Sequence, residues 1–232
     1  MTCINDTNKD SLDLILHTPG GDYEATKRII NYLHETFKHI RVFIPHMAMS
    51  GGTLIACAAD EIVMGPYSSL GPTDPQIFLD ENYIPVSAVI DEFELAFNEI
   101  SKDPTRALLW SERLRQIPFG KIKAAQNMER NSLKYLIDLL KKRNCKGLEE
   151  NKVKNLAEYL NSGRSHSSHG RGISLKDAIE NGLNVLDLRK DKIIEDDVLS
   201  IYHSAIILFE KTPVQKIIIN HMGKKYISHY QG

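Results

Sequence analysis

Twice within its first 60 residues the chain runs from a short β-prone stretch, through a turn holding two adjacent glycines, into an apolar helical stretch. Residues 12–18, LDLILHT, stop at Pro19-Gly20-Gly21, after which Ala25, Ile29, Ile30 and Leu33 recur at helical spacing. Arg41 to Ile44 is a second strand, Pro45 to Gly52 a loop, and Thr53 to Ala59 a helix too apolar on every side to lie on a surface. A third strand follows at Glu61 to Met64. The order β-α-β-α predicts an α/β fold built on a parallel sheet with right-handed crossovers.

Downstream, Gly65-Pro66 and Gly71-Pro72 bracket a stiff loop ending in Thr73-Asp74-Pro75. Helical patterning then runs from Val86 to about Lys142, broken at Pro104 and Pro118, and a shorter helix spans about Leu148 to Leu160. Residues 162–170 form a polar loop with His166 and His169. Ser174 with Asp177 reads as a capping box, Gly182 as a helix stop, and Val185 to Leu188 as a strand. A helix from Asp197 to Glu210 and a hairpin from Lys216 to Tyr230, turning at Met222-Gly223, make residues 190–232 an extension of a single domain spanning 1–232.

The 29 basic and 30 acidic residues nearly cancel, so no global field draws the chain to nucleic acid or an anionic membrane. Three cysteines without paired spacing fit a reducing cytoplasm, and no apolar run reaches the roughly 20 residues of a bilayer span. No signal-peptide core opens the chain. Neither a G-x-G-x-x-G nor a G-x-x-x-x-G-K-[ST] pattern occurs, so no cofactor or nucleotide is expected.

Ser50 lies between a strand and a buried helix, where a hydroxyl on a sharp turn is presented with loop amides beside it. The Gly51 amide is a plausible oxyanion donor, and a second comes from Gly20 or Gly21 at the end of the preceding parallel strand. Ligand sites in such sheets gather at the carboxyl ends of strands, where both turns sit. Read from spacing alone, P-G-G and S-G-G are equally compatible with plain tight turns.

The segments "HTPGGDYEAT" and "PHMAMSGGTLIACAADEIVMGPYSSLGPTDPQI" resemble the ClpP/crotonase superfamily and, within it, the serine dehydrogenase proteinase family, relatives of signal peptide peptidase A. The resemblance runs from about Leu12 to the tail and is densest in residues 16–77. It implies a ClpP/crotonase-like parallel sheet with β-β-α style repeats and flanking helices, a peptide or protein substrate, assembly into a homo-oligomer, and triad residues in the order Ser, Asp, His. Carried over residue by residue, Ser50 is the nucleophile, Asp74 the acid and His169 the base, with Gly20, Gly21 and Gly51 at the oxyanion hole. Asp74 sits in a Pro-stiffened loop suited to orienting an imidazole, and His169 in a Ser/Gly-rich loop suited to proton exchange.

Rival readings stand beside these. Asp74 suits an Asx turn before Pro75, His166 and His169 suit a solvated loop or, less well, a metal, and His46 is nearer Ser50 in sequence. A Ser-Lys dyad would need a desolvated lysine, and Lys102, Lys121 and Lys123 lie in polar surroundings. Two departures from the family pattern are expected to matter. Only about a dozen residues precede the P-G-G strand, predicting a missing first strand, and Gly51-Gly52 stands where alanine is more usual first, predicting a looser turn. The leading function is a serine peptidase. The alternatives are a crotonase-like acyl-CoA enzyme using the same amides, and an inactive assembly module contacting partners through Val198, Ile201, Tyr202, Ala205, Ile206 and Phe209.

Overall fold

In a computed structural model, residues 3, 10–79, 81–118, 120–161 and 172–229 are described. Strand β1 (Ser11–Ile15) leads through the first glycine turn into α1 (Tyr23–Thr36), whose start is fixed by Asp22, its side chain accepting from Ala25 N at 2.7 Å. Thr26, Ile30 and Leu33 share one face of α1 and are buried. Strand β2 (His39–Ile44) pairs in parallel with β1. The expected extension of β1 to Thr18 is replaced by a lone bridge between Thr18 and Ala48. Pro19 has no N–H to carry a ladder further.

The loop before Ser50 contains a two-residue strand, β3 (Met47–Ala48), and the buried helix α2 (Gly51–Cys57) starts directly after Ser50, two residues earlier than the apolar run suggests. Strand β4 (Glu61–Met64) pairs with β2, and β5 (Ser69–Leu70) with β3. A hairpin, β6 (Gln76–Leu79) with β7 (Asn82–Pro85), occupies a stretch that carries no glycine turn signal. Then come α3 (Val86–Lys102), a 3-10 turn at Pro104–Arg106, α4 (Ala107–Arg115), α5 (Lys121–Lys142) and α6 (Glu150–Asn161). The breaks fall at Pro104 and near Pro118, as the sequence predicts.

Beyond residues 162–171, β8 (Ile173–Ser174) pairs with β5, and α7 (Leu175–Glu180) begins with both halves of the Ser174/Asp177 capping box in place. Strand β9 (Val185–Asp187) completes the parallel sheet β1-β2-β4-β9. Helix α8 (Lys192–Lys211) starts five residues before the expected Asp197, because the Asp191 side chain caps it by accepting from Ile193 N and Ile194 N. The antiparallel hairpin β10 (Val214–Ile219) and β11 (Lys225–His229) turns around Asn220, whose Oδ1 accepts from Met222 N and Lys224 N.

The period-two geometry of the central strands sorts their side chains between two cores. Val42, Ile44, Ile62 and Met64 join the larger core with Ile30, Leu33, Leu54, Leu136, Leu160 and Ala178. Phe43 and Val63 point the other way and meet Leu188 and Val198, so α8 covers that face. Of the expected α8 stripe only Val198 is buried; Tyr202, Ala205, Ile206 and Phe209 are half-buried and Ile201 is exposed. A third cluster, Ile77, Val86, Val89, Ile90 and Ala125, joins the β6-β7 hairpin to α3 and α5. Among the described residues no helix is long and apolar enough to cross a membrane.

Candidate active site

The turn at Ser50 is closed by Gly52 N donating to Met49 O at 2.8 Å. Ser50 occupies its second position with φ 49° and ψ −111°, a conformation that in such turns ordinarily belongs to glycine. Among the described residues only Ser50 and Glu81 are non-glycines at positive φ. Ser50 is exposed and its hydroxyl makes no capping bond to α2, so the strain projects a free hydroxyl outward rather than closing the helix end. Gly51 is the first residue of α2, where an amide has no partner within the helix.

The P-G-G turn is held against this serine through Thr18. Thr18 N donates to Met47 O and Met49 N donates to Thr18 O, each at 3.1 Å, stitching the end of β1 to the chain entering Ser50. The Gly20 amide donates to Thr18 Oγ1 at 3.1 Å, so it is occupied within its own turn. Of the two glycines considered for the second donor, Gly21 is the one whose amide has no acceptor among the described residues. Gly20, at φ +110°, gives clearance instead: a Cβ there would lie 3.0 Å from Ser50 Cβ.

The close approaches also correct the expected loosening at Gly51-Gly52. A Cβ on Gly51 would lie 2.6 Å from Thr26 Oγ1 of α1, and one on Gly52 2.5 Å from Thr18 Cγ2. Both glycines are demanded by tight packing of the α2 start against α1 and the end of β1. Thr53, fully buried, ties the same turn to the next loop: its Oγ1 lies 2.7 Å from Ala48 O and 2.8 Å from Gly71 O, and it accepts from Gly71 N at 3.1 Å.

That next loop carries Asp74. Gly71 abuts Met49, where a Cβ would come within 3.0 Å of Met49 Cα. Thr73 N donates to Leu160 O at 2.8 Å, Val86 N donates to Pro75 O at 3.0 Å, and the Asp74 carboxylate between these anchors is buried. His169 and His166 lie outside the described residues. The residues flanking their segment are tied to the Asp74 side of the molecule: Asn161 through Thr73, and Gly172 through contact with Ser69 and the β5-β8 pairing.

The other candidate bases are disposed differently. The His46 ring centroid lies 5.5 Å from that of His17 and 6.0 Å from that of Tyr202 on α8, and no hydrogen bond joins His46 to Ser50 among the described residues. Lys102 and Lys123 are exposed and Lys121 half-buried, so none has the burial that a dyad lysine needs. Burial, with Tyr135 and Glu24 nearby, pushes the Tyr23 phenol up to about 12, and burial pushes the Cys57 thiol far up and Cys145 up to about 11. None of these is an anion at neutral pH. No group of three or more metal-ligating side chains occurs among the described residues. A groove of about 440 Å³, lined by Ile84, Val89, Leu95, Trp110 and Arg113 among others, includes no residue of the Ser50, P-G-G or Asp74 loops.

Sequence patterning points to the glycines and the serine. It misses Thr18, Thr26, Thr53 and Asn161, whose parts are set by tertiary contacts that leave no local signal.

Residues 1–224 match a family described as ClpP-like SDH-type serine proteinase. Two uncharacterized proteins of Methanocaldococcus jannaschii, MJ0137 and MJ1495, are similar in sequence. The first is 35% identical over 174 residues, covering 75% of this chain and 53% of the relative. The second is 36% identical over 152 residues, covering 66% and 44%. The chain thus spans about half the length of these relatives. Among solved structures, a serine mutant of the 1510-N membrane-bound stomatin-specific protease gives a TM-score of 0.48 at 15% identity, covering 93% of this chain and 75% of that one. A lysine mutant of the same protease in complex with a substrate peptide gives 0.48 at 16%, covering 94% and 72%.

Proposed function

The chain belongs to the family of ClpP-like SDH-type serine proteinases, and on that premise we propose that it hydrolyses peptide bonds with Ser50 as nucleophile. The observation that carries this reading is the strained turn at Ser50, which exposes a hydroxyl between two glycine turns. Ser50 Oγ attacks the scissile carbonyl carbon while His169 takes its proton, and the carbonyl oxygen gains negative charge between the Gly51 and Gly21 amides. The C–N bond then breaks, His169 returns the proton to the leaving amine, and water repeats the sequence to free the acyl group and restore Ser50. Asp74 holds the imidazole in the tautomer that accepts at the serine.

Support for His169 comes from its neighbours. It stands three residues before Gly172, a chain reach of about 11 Å, and Gly172 packs on Ser69 two residues before Gly71. A crotonase-like thioester enzyme uses the same pair of amides without needing a serine, and the strain at Ser50 favours hydrolysis over it.

Peptide or protein is the substrate class. Homo-oligomeric assembly is supported by the exposed Leu95, Phe97, Leu108 and Leu109 on α3 and α4, and a reducing, cytoplasmic setting by three unpaired, buried cysteines. Reaction with a fluorophosphonate probe, with mass spectrometry to locate the adduct, tests the chemistry. Labelling at Ser50 that is abolished in Ser50→Ala and strongly reduced in His169→Ala is the expected result. A folded chain that is not labelled at Ser50 overturns the reading and moves the weight to a thioester-binding or assembly role.

A further inference from the structure

Three rings meet where β1 and β2 end, on the face of the sheet that α8 covers. His17 lies two residues beyond Ile15 and so shares its side of the sheet, the side that packs on Phe43, Val63 and Val198. The His17 ring centroid is 5.5 Å from that of His46 and 5.1 Å from that of Tyr202, and His46 and Tyr202 are 6.0 Å apart.

Within this cluster His17 Nδ1 is buried without a hydrogen-bond partner. A polar atom taken out of water and left unpaired marks a place for an ordered water, an ion or a reacting group, and the hydrolysis proposed above gives His17 no part. The ring is held by a bond to the Met47 backbone, the kind of support that ligating imidazoles carry on their second nitrogen. His46 is exposed, so an ion reaches the pair from solvent. Two imidazole nitrogens bound at about 2.0–2.1 Å to one tetrahedral ion place their ring centroids about 5–5.5 Å apart, which is the separation of His17 and His46.

We propose that His17 and His46 are the two protein ligands of a site for a zinc-type divalent transition-metal ion, which staples the end of β1 to the loop entering Ser50. Imidazole nitrogen suits Zn²⁺, Ni²⁺ and Cu²⁺, whereas Mg²⁺ and Ca²⁺ take oxygen ligands. No third ligating side chain joins the pair among the described residues, so water completes the coordination. The two hydrogen bonds between these same segments, Thr18 N to Met47 O and Met49 N to Thr18 O, lie beside the ligands in sequence. The ion adds a second tie across them. The site is independent of whether Ser50 is a nucleophile.

The test is calorimetric titration of the chelator-stripped full chain with Zn²⁺ at neutral pH, with Mg²⁺ as the control and folding followed by thermal unfolding without metal. His17→Phe and His46→Ala are each expected to weaken Zn²⁺ binding by at least about 10-fold, and the double variant to lose little more than either, because the ion needs both rings. Mg²⁺ leaves the Zn²⁺ titration unchanged. Hydrogen exchange at the Thr18 and Met49 amides slows with Zn²⁺ in the wild type and in neither variant. His46 is exposed, so His46→Ala carries the test should His17→Phe fold poorly. A folded His46→Ala variant that binds Zn²⁺ as tightly as the wild type overturns the site: any Zn²⁺ then sits on other histidines, and water satisfies His17 Nδ1. A wild type that binds no Zn²⁺, or whose Thr18 and Met49 amides exchange equally fast with and without it, overturns the staple as well.

Discussion

Gly20 and Ser50 are packed so closely that a Cβ on Gly20 would lie 3.0 Å from Ser50 Cβ and 3.0 Å from Met49 O. The turn that brings one backbone to the serine therefore leaves room for hydrogen alone, and Gly20 also holds φ +110°, where a side chain is strained. Gly20→Ala should destabilise the fold by about 2–4 kcal/mol, combining the cost of the backbone conformation with overpacking. Gly21 has nothing within 4 Å of a built Cβ and lies outside the left-handed range, so Gly21→Ala should be neutral or slightly stabilising. Urea unfolding of the pair checks this; equal losses at both positions would contradict it.

Strain at Ser50 predicts a trade between stability and chemistry. Glycine adopts φ 49°, ψ −111° freely, whereas alanine keeps the same steric conflict as serine. Relief of about 1–3 kcal/mol of strain is opposed by about 0.4–1 kcal/mol of added chain entropy in the unfolded state. Ser50→Gly should therefore be more stable than wild type by about 1 kcal/mol, while Ser50→Ala stays close to wild type, and neither reacts with a fluorophosphonate. A Ser50→Gly variant less stable than Ser50→Ala in urea would show that the turn is not strained.

The contact between Gly51 and Thr26 lends itself to a double-mutant cycle. A Cβ on Gly51 would meet Thr26 Oγ1 at 2.6 Å but Thr26 Cβ only at 3.5 Å, so the hydroxyl is the obstacle. Gly51→Ala alone should cost about 1–3 kcal/mol through overpacking. Combined with Thr26→Ala, which removes the obstacle together with its bond to Asp22 O, it should cost less than the sum of the two single changes by at least about 1 kcal/mol. Additive losses would place the need for glycine elsewhere.

How much of this was legible depends on whether the determining contact is local. Strands β2 and β4 are read from Val42, Phe43, Ile44 and Ile62, Val63, Met64 because both faces are buried, as parallel strands require. The capping box at Ser174 and Asp177 is legible because its partners lie three residues apart. The two-residue strands β3, β5 and β8 are too short to show any period, and the β6-β7 hairpin turns through Glu81 at φ 62° with no glycine to announce it. Gly51 shows the limit most clearly. From sequence it suggests a looser turn, and only Thr26, on another helix, makes it a steric necessity. Asn161 is equally silent, since Ser132 and Thr73 lie 29 and 88 residues away.

Two histidines outside the proposed chemistry give the fold a pH dependence of definite sign. Burial, and then the neighbouring His46, hold His17 below the ordinary histidine value against the raising effect of a bond to the Met47 backbone. Burial likewise lowers His34, with Lys142 and Arg143 adding to it and the bond to Ala58 O and the Asp60 carboxylate opposing it. The folded chain keeps both rings neutral at a pH where the unfolded chain protonates them, so the unfolded state binds more protons and stability is lost as the pH falls. The loss begins near the unfolded value of about 6.5 and is complete once the lowered folded values are passed. The lowered carboxylates Glu99, Asp103, Glu150 and Asp187 add their own loss only at more acid pH. Urea midpoints should therefore drop between about pH 7 and pH 5.5, and His17→Phe, which keeps an aromatic ring beside His46 and Tyr202, should flatten part of that slope. A wild-type midpoint constant over this interval, or a His17→Phe curve parallel to it, would rule out His17 as a source of the dependence.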